Sequence, residues 1–151
     1  MLREKLNSEL KVAIKAQDKG ATSTLRLIMA ALKDRDIAAR SKGNCDGVGE
    51  DEILEMLQKM VRQRREAIEL YQEGGRDELV AREQREIEVI EGFLPKPLGE
   101  AEMTGAIRDI IGELQATTIK DMGRVMSALK ERFPGRMDFG RASAIVKQKL
   151  A

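Results

Sequence analysis

Pro95 and Pro97 constrain this chain more than any other pair of residues. The sequence has only three prolines, and these two stand with a single lysine between them. A proline inside a helix removes a backbone donor and clashes with the preceding turn, and it pushes the residue before it towards extended backbone. The sequence on either side reads as helix, so the segment Leu94–Gly99 divides a helical chain in two. This predicts an N-terminal helical domain over residues 1–95 and a C-terminal three-helix domain over 96–151. Phe93, Leu94 and Leu98 flank the prolines and are apolar, which predicts a packed elbow rather than a loose linker. At 151 residues the chain can bury roughly two thirds of its unfolded surface, enough for modest cores only.

The helices follow from apolar residues recurring every three to four positions, the spacing that lines one face of an α-helix. Leu2, Leu6, Leu10 and Ile14 predict a helix over 2–17, with Gly20 as its stop. Leu25, Ile28, Leu32 and Ala39, with Leu27, Met29, Ala31 and Ile37 widening the apolar side, predict a second over 22–41, capped by Thr22 or Ser23. Ile53, Leu57, Met60, Ile68 and Tyr71 predict a third over 50–73, ended by Gly74 and Gly75. Val80, Ile87, Ile90 and Leu94 predict a fourth over 77–93. Beyond the prolines, Met103, Ile107, Ile110 and Leu114 predict 100–114, and Met122, Val125, Met126 and Leu129 predict 119–132. Ala142, Ile145, Val146 and Leu150 predict 139–150. Thr118 with Asp121 is close to a capping box, and Asp138 is placed to cap the last helix. No run alternates as a strand would. The fold class is all-α: a four-helix N-terminal domain and a three-helix C-terminal domain. Residues 41–49 hold three glycines and read as a flexible loop; Asn44, Asp46 and Gly47 lack the ligand spacing of a calcium loop.

Several function classes fall away. Histidine is absent and Cys45 is the single cysteine, so there is no His/Cys zinc site, no Ser-His-Asp or Cys-His nucleophile and no disulfide within the chain. Tyr71, Phe93, Phe133 and Phe139 are the only aromatics, too few for a base-stacking platform. No Gly-rich phosphate loop or dinucleotide fingerprint occurs. Glu83, Glu86, Glu88 and Glu91 crowd one helix, but a carboxylate metal bundle also takes histidines, so neither metal nor cofactor is expected. The first residues do not read as a signal peptide, no stretch reaches membrane-spanning length, and one free thiol suits a reducing compartment. Together these point to the cytoplasm and away from membranes.

Charge is unevenly spread. The net charge is +1 overall, but −2 over 1–95 and +3 over 96–151, with +5 concentrated in 115–151. The C-terminal region offers Arg124, Lys130, Arg136, Arg141, Lys147 and Lys149 as a positive face around Asp121–Met126. Gly123 lies in the first turns of a helix, where glycine costs up to about 1 kcal/mol against alanine; close approach by a backbone or ligand, or tight packing against a neighbouring helix, would explain it. A second basic group, Lys59 with Arg62, Gln63, Arg64 and Arg65, either meets a partner or pairs within its helix (Arg62–Glu66, Arg65–Glu69). Arg64 interrupts an apolar face. Its stem packs while its head reaches water, or it pairs with a carboxylate of the next helix such as Glu83.

Five ordered segments carry a resemblance that covers nearly the whole chain. They are Thr24-Leu25-Arg26-Leu27-Ile28, Gln63-Arg64-Arg65-Glu66-Ala67-Ile68, Gly75-Arg76-Asp77-Glu78-Leu79, Glu88-Val89-Ile90-Glu91-Gly92-Phe93-Leu94-Pro95 and Asp121-Met122-Gly123-Arg124-Val125-Met126. Together they resemble the YqeY-like (GatB/YqeY) family. The loop after Ser41 and Pro97 are less typical of it. Ser127 stands where glycine is frequent, and Met137 where alanine is. Members are similar to the C-terminal tail of the B subunit of the glutamine-dependent aspartyl/glutamyl-tRNA amidotransferase. The resemblance implies a helical fold and affinity for tRNA. It does not imply catalysis, because the kinase and transamidation chemistry of that enzyme resides in other domains.

Three functions are carried forward. The first is a non-catalytic tRNA-associated module touching phosphates through Gly123, Arg124, Lys130, Arg136, Arg141 and Lys147. The second is a protein-interaction adaptor acting through Arg62, Arg65 and Arg76, with Glu83 or Glu91 on the edge that faces the partner. The third is carbon–nitrogen ligase activity with glutamine as amido donor, the label the family carries, for which these residues offer no active site. Oligomeric state is left open.

Overall fold

The computed structural model describes residues 1–151. The protein is all-α: seven helices, one 3-10 turn and no strand. They are α1 (Leu2–Lys15), α2 (Lys19–Ser41), α3 (Glu50–Glu73), α4 (Asp77–Glu91), α5 (Glu100–Leu114), α6 (Met122–Arg132) and α7 (Phe139–Leu150). The chain separates into two compact units, Met1–Leu94 and Pro95–Ala151.

In the N-terminal unit, α3 packs most extensively on α4, α1 on α2, and α2 on α4. Leu6, Ile28, Leu32, Ile53, Leu57 and Ile90 form the centre of its core, each 2% exposed or less. Burying one such side chain contributes about 1.5–3 kcal/mol. Phe93 closes the core, with the Lys5 ammonium 5.5 Å from its ring centroid.

The first interhelix turn departs from the sequence reading. α1 ends at Lys15, and Gln17, not a glycine, takes the left-handed backbone with φ 57°. Gly20 does not stop α1; it sits in the first turn of α2, which Asp18 caps by accepting from the Ala21 N–H at 3.1 Å. The Asp18 cap, four residues before Thr22 and five before Ser23, starts α2 at Lys19, three residues earlier than expected. α4 likewise stops at Glu91, two residues short of the expected end.

The 42–49 segment is tied down at its C-terminal end. Arg3 donates through Nη1 to Asp36 Oδ2 at 2.7 Å and through Nη2 to Asp36 Oδ1 at 3.1 Å. The same Nη2 donates to the Val48 carbonyl at 2.9 Å, and the Val48 N–H returns to Asp36 Oδ1 at 2.9 Å. Val48 is thereby held in the core at 5% exposure. Gly47 carries φ +89°, and a Cβ there would lie 2.9 Å from both Arg3 Nη2 and Asp36 Oδ1. Three glycines therefore do not make this segment loose throughout.

Arg64 pairs with α4, through Glu86 rather than Glu83. Its Nε donates to Glu86 Oε2 at 2.9 Å, and Nη1 donates to the Met60 carbonyl at 3.1 Å. Their side chains are 13% and 15% exposed. Glu83 stands one helical turn before Glu86; burial first, and repulsion from Glu86 second, raise its carboxyl above the ordinary range.

In the C-terminal unit α5, α6 and α7 all touch one another around Ile107, Ile110, Val125, Leu129, Ala142 and Val146. Arg136 fixes the segment after the first proline. Its carbonyl accepts from the Leu98 N–H at 2.8 Å and its Nε donates to the Lys96 carbonyl at 3.1 Å. The predicted helix over 119–132 is two pieces, a 3-10 turn Ile119–Asp121 and then α6. Asp121 causes the break by turning its carboxylate back to the N–H groups of Thr117, at 3.0 Å, and Thr118, at 3.4 Å.

Candidate nucleic-acid interface

The basic residues singled out in the C-terminal unit are delivered by α6, α7 and the turn between them. On α6, Gly123, Ser127 and Lys130 share a face at spacings of four and three residues. Arg124 lies six residues before Lys130, which places it about 120° around the helix. On α7, Arg141 and Lys147 are separated by the same interval. The six residues thus do not form one stripe.

Three of the arginines are already engaged. Arg124 Nη2 donates to Asp121 Oδ1 at 2.9 Å. The backbone N–H of Thr117 first, and this guanidinium second, hold the Asp121 carboxyl below its usual range. Arg141 Nη2 reaches Glu100 Oε1 at 3.4 Å, and Arg136 is taken up by the Lys96 carbonyl. Exposed pairs of the Arg124 and Arg141 kind are worth about 0–1 kcal/mol, so a phosphate can displace the carboxylate. Lys130 stands 6.0 Å from the Phe139 ring centroid. Lys130, Lys147 and Lys149 are exposed and have no ion pair. Lys120, which sequence reasoning passed over, is also exposed and free of ion pairs; its place in the 3-10 turn was hidden by reading 119–132 as one helix.

The acids of residues 115–151 are fewer and mostly occupied. Asp121 serves the turn and Arg124. Asp138 caps α7 by accepting from Gly140 N–H at 3.0 Å and Arg141 N–H at 3.3 Å. Glu131 alone is uncommitted, against the four lysines.

Gly123 is not packed against a neighbour. A Cβ built there meets nothing within 4 Å, so the close helix contact offered as one explanation of this glycine is absent. The first turn of α6 presents bare backbone to solvent.

The second basic group is half neutralised, by carboxylates of α4 and not through the helical pairs expected: Arg64 and Arg65 are paired, Lys59 and Arg62 are not. Arg65 binds Glu91 of α4 at 2.9 Å instead of Glu69, and Arg76 binds Glu78 at 2.8 Å. Arg62 is exposed and has no ion pair.

No three acidic or thiol side chains converge closely enough to hold a metal ion. Two cavities, about 400 Å³ beside α5 and about 380 Å³ between α2 and α4, are lined in part by groups already spent. Glu113 and Arg132 are paired in the first. In the second, Glu86 is bound to Arg64, and the Thr24 hydroxyl donates to the Gly20 carbonyl.

The structure thus defines an all-α protein of two compact units, the second of which carries exposed lysines without ion pairs. Compared with known proteins, the chain matches the model of the Yqey-like protein family over residues 3–150. It belongs to that family. It is similar to altered inheritance of mitochondria protein 41, mitochondrial, of Eremothecium gossypii, at 32% identity over 114 residues, 74% of this chain and 60% of that protein. The protein of the same name from Lachancea thermotolerans is 30% identical over 112 residues, 73% of this chain and 58% of that protein. That from Pyrenophora tritici-repentis is 27% identical over 133 residues, 85% and 71% of the two chains. The chain spans about three fifths of the first two relatives' length.

These names overturn the cytoplasmic expectation, since the relatives are named mitochondrial. One free thiol and the lack of a long apolar run report on redox state and hydropathy, and neither property distinguishes one reducing compartment from another. No helix is long and apolar enough to cross a membrane.

Proposed function

We propose that this chain is a non-catalytic helical module that engages tRNA through phosphate and shape contacts of its C-terminal unit. The observation that carries the reading is the charge imbalance of residues 115–151 once pairing is accounted for: Lys120, Lys130, Lys147 and Lys149 have no carboxylate partner, against Glu131 alone. The family resemblance to an amidotransferase tail supplies tRNA as the polyanion. Arg124 and Arg141 add to the contact by exchanging their exposed carboxylate partners for phosphate.

Binding to total tRNA, titrated from about 50 to 300 mM salt, tests this directly. Phosphate-led binding weakens with a log–log slope that grows by about 0.9 per contact in a duplex and about 0.7 in a single strand. The parent chain gives a slope of several, and Lys130→Gln with Lys147→Gln lowers it by one to two. An unchanged slope in this folded variant removes the C-terminal unit from the contact.

Gly123→Ala separates fold from function at the same surface. The new methyl meets open space, so helix propensity raises stability by about 0.5 kcal/mol, while binding weakens because phosphate loses its approach to the bare turn. A thermal melt beside a tRNA titration reads both. Equal or tighter binding would show that no ligand approaches that backbone.

A further inference from the structure

Lys19, Arg26, Lys33 and Arg40 recur at intervals of seven along α2. Seven residues fall only about 20° short of two full helical turns. The four cations therefore form a nearly straight row on one side of the helix, about 10.5 Å apart and about 31 Å from first to last. All four are exposed. None has an ion pair, although the same unit pairs Arg3, Arg35, Arg64, Arg65, Arg76 and Arg82.

The row is not the surplus of a basic unit. Residues 1–95 carry net charge −2, so these cations are set apart on an acidic body. The carboxylates of and beside α2 neutralise them little: Asp36 is hydrogen-bonded by Arg3 and Val48, although the Arg40 charge also acts on it, and Asp18 caps the helix. Asp34 remains, and it lies on the neighbouring strip with Leu27, Ala30 and Ile37.

A straight row of evenly spaced cations fits a polyanion that is itself straight and evenly charged. The aromatic residues of the chain, Tyr71, Phe93, Phe133 and Phe139, all lie outside α2, so the bases of a single strand would find nothing there to stack on. An anionic membrane is a poorer fit. Pressing half-exposed Leu27 and Ile37 into an interface would dehydrate Asp34 between them, at a cost that the row would have to overcome.

We propose that the Lys19–Arg26–Lys33–Arg40 row of α2 is a contact surface for the phosphate backbone of double-helical RNA. The proposal rests on the reading that this chain engages RNA, and it assigns that role a second surface, in the other unit.

The test uses the full chain, a fluorescent RNA duplex of mixed sequence and total tRNA, each titrated between about 50 and 300 mM salt. The fourfold variant K19Q/R26Q/K33Q/R40Q is expected to lose at least about tenfold in affinity for the duplex, and its salt slope to fall by about 3 to 4 as four contacts vanish. The milder R26Q/K33Q variant, with both changes fully exposed, is expected to lose half of that slope with an unaltered circular dichroism spectrum. Unchanged affinity and slope in these folded variants overturn the row; if Lys130→Gln/Lys147→Gln still weakens tRNA binding, the C-terminal reading survives alone. Loss in the row variants but not in the C-terminal variant keeps the row and removes the C-terminal surface. Absence of duplex binding by the parent chain at about 50 mM salt overturns the row. So does row-dependent binding to phosphatidylserine vesicles without binding to the duplex.

Discussion

An Arg64→Met variant is expected to unfold with about 3 kcal/mol less free energy than the parent chain, the low end of what breaking a buried ion pair costs. Methionine fills the space of the arginine stem but leaves Glu86 in a site only 15% exposed. Arg82 Nε, 3.7 Å from Glu86 Oε1, offers partial compensation, which keeps the loss from being larger. The paired replacement Arg64→Met with Glu86→Leu is the decisive comparison. It removes both charges and leaves no orphan, so most of the loss returns. Tyr71, the one tyrosine in a chain without tryptophan, lies near the end of α3 and reports the N-terminal unit by fluorescence in a urea titration. A single-variant loss under about 1 kcal/mol, or a double variant no better than the single, would show that the pair is open to water and not structural.

The second large effect belongs to the clamp on Val48. Asp36→Ala removes an acceptor of two bonds from Arg3 and one from the Val48 N–H. Charge-assisted bonds contribute about 1.5–3 kcal/mol each where well buried. With Arg3 36% and Asp36 20% exposed, water replaces part of that, and the expected loss for the whole clamp is about 2–3 kcal/mol. Amide exchange across residues 42–49 accelerates in the variant. The pH dependence has a fixed sign. The Arg3 guanidinium first, and the Val48 N–H second, hold the Asp36 carboxyl below its ordinary value. The folded state therefore binds this proton less tightly than the unfolded state. The stabilisation is fully present above the unfolded pKa, near 4, and is lost as pH falls through the lower folded value. Parent and Asp36→Asn should differ most in melting temperature near pH 7 and converge in acid. A constant difference from pH 7 down to pH 2 would mean that Asp36 acts through shape and not charge.

The helices were legible in the sequence because helical order is local. Leu6 with Leu10, or Ile107 with Ile110, meet on one face whatever the rest of the chain does. The errors lie at helix ends, where one side chain decides. Asp18 moved the start of α2 back to Lys19, and that shift brings the first cation of the Lys19–Arg40 row onto the helix. Asp121 split the element before α6. The candidate site was legible as composition but not as geometry. An excess of base over 115–151 can be counted along the chain, whereas the capture of Arg124 by Asp121 and of Arg141 by Glu100 needs coordinates.

The sequence by itself determined which segments are helical and where the prolines interrupt them, since each follows from near neighbours, but it set Ile14, Leu27 and Ile37 on apolar faces that the fold leaves exposed. Tertiary structure alone decided the partners across longer separations. Arg64 could face several carboxylates of α4, and the packing of α3 on α4 selects Glu86, 22 residues away. A glycine-rich segment reads as loose until Arg3 and Asp36, 33 residues apart, close on Val48. Such choices depend on where whole helices come to rest, and a charge in a sequence carries no record of which opposite charge the fold will set beside it.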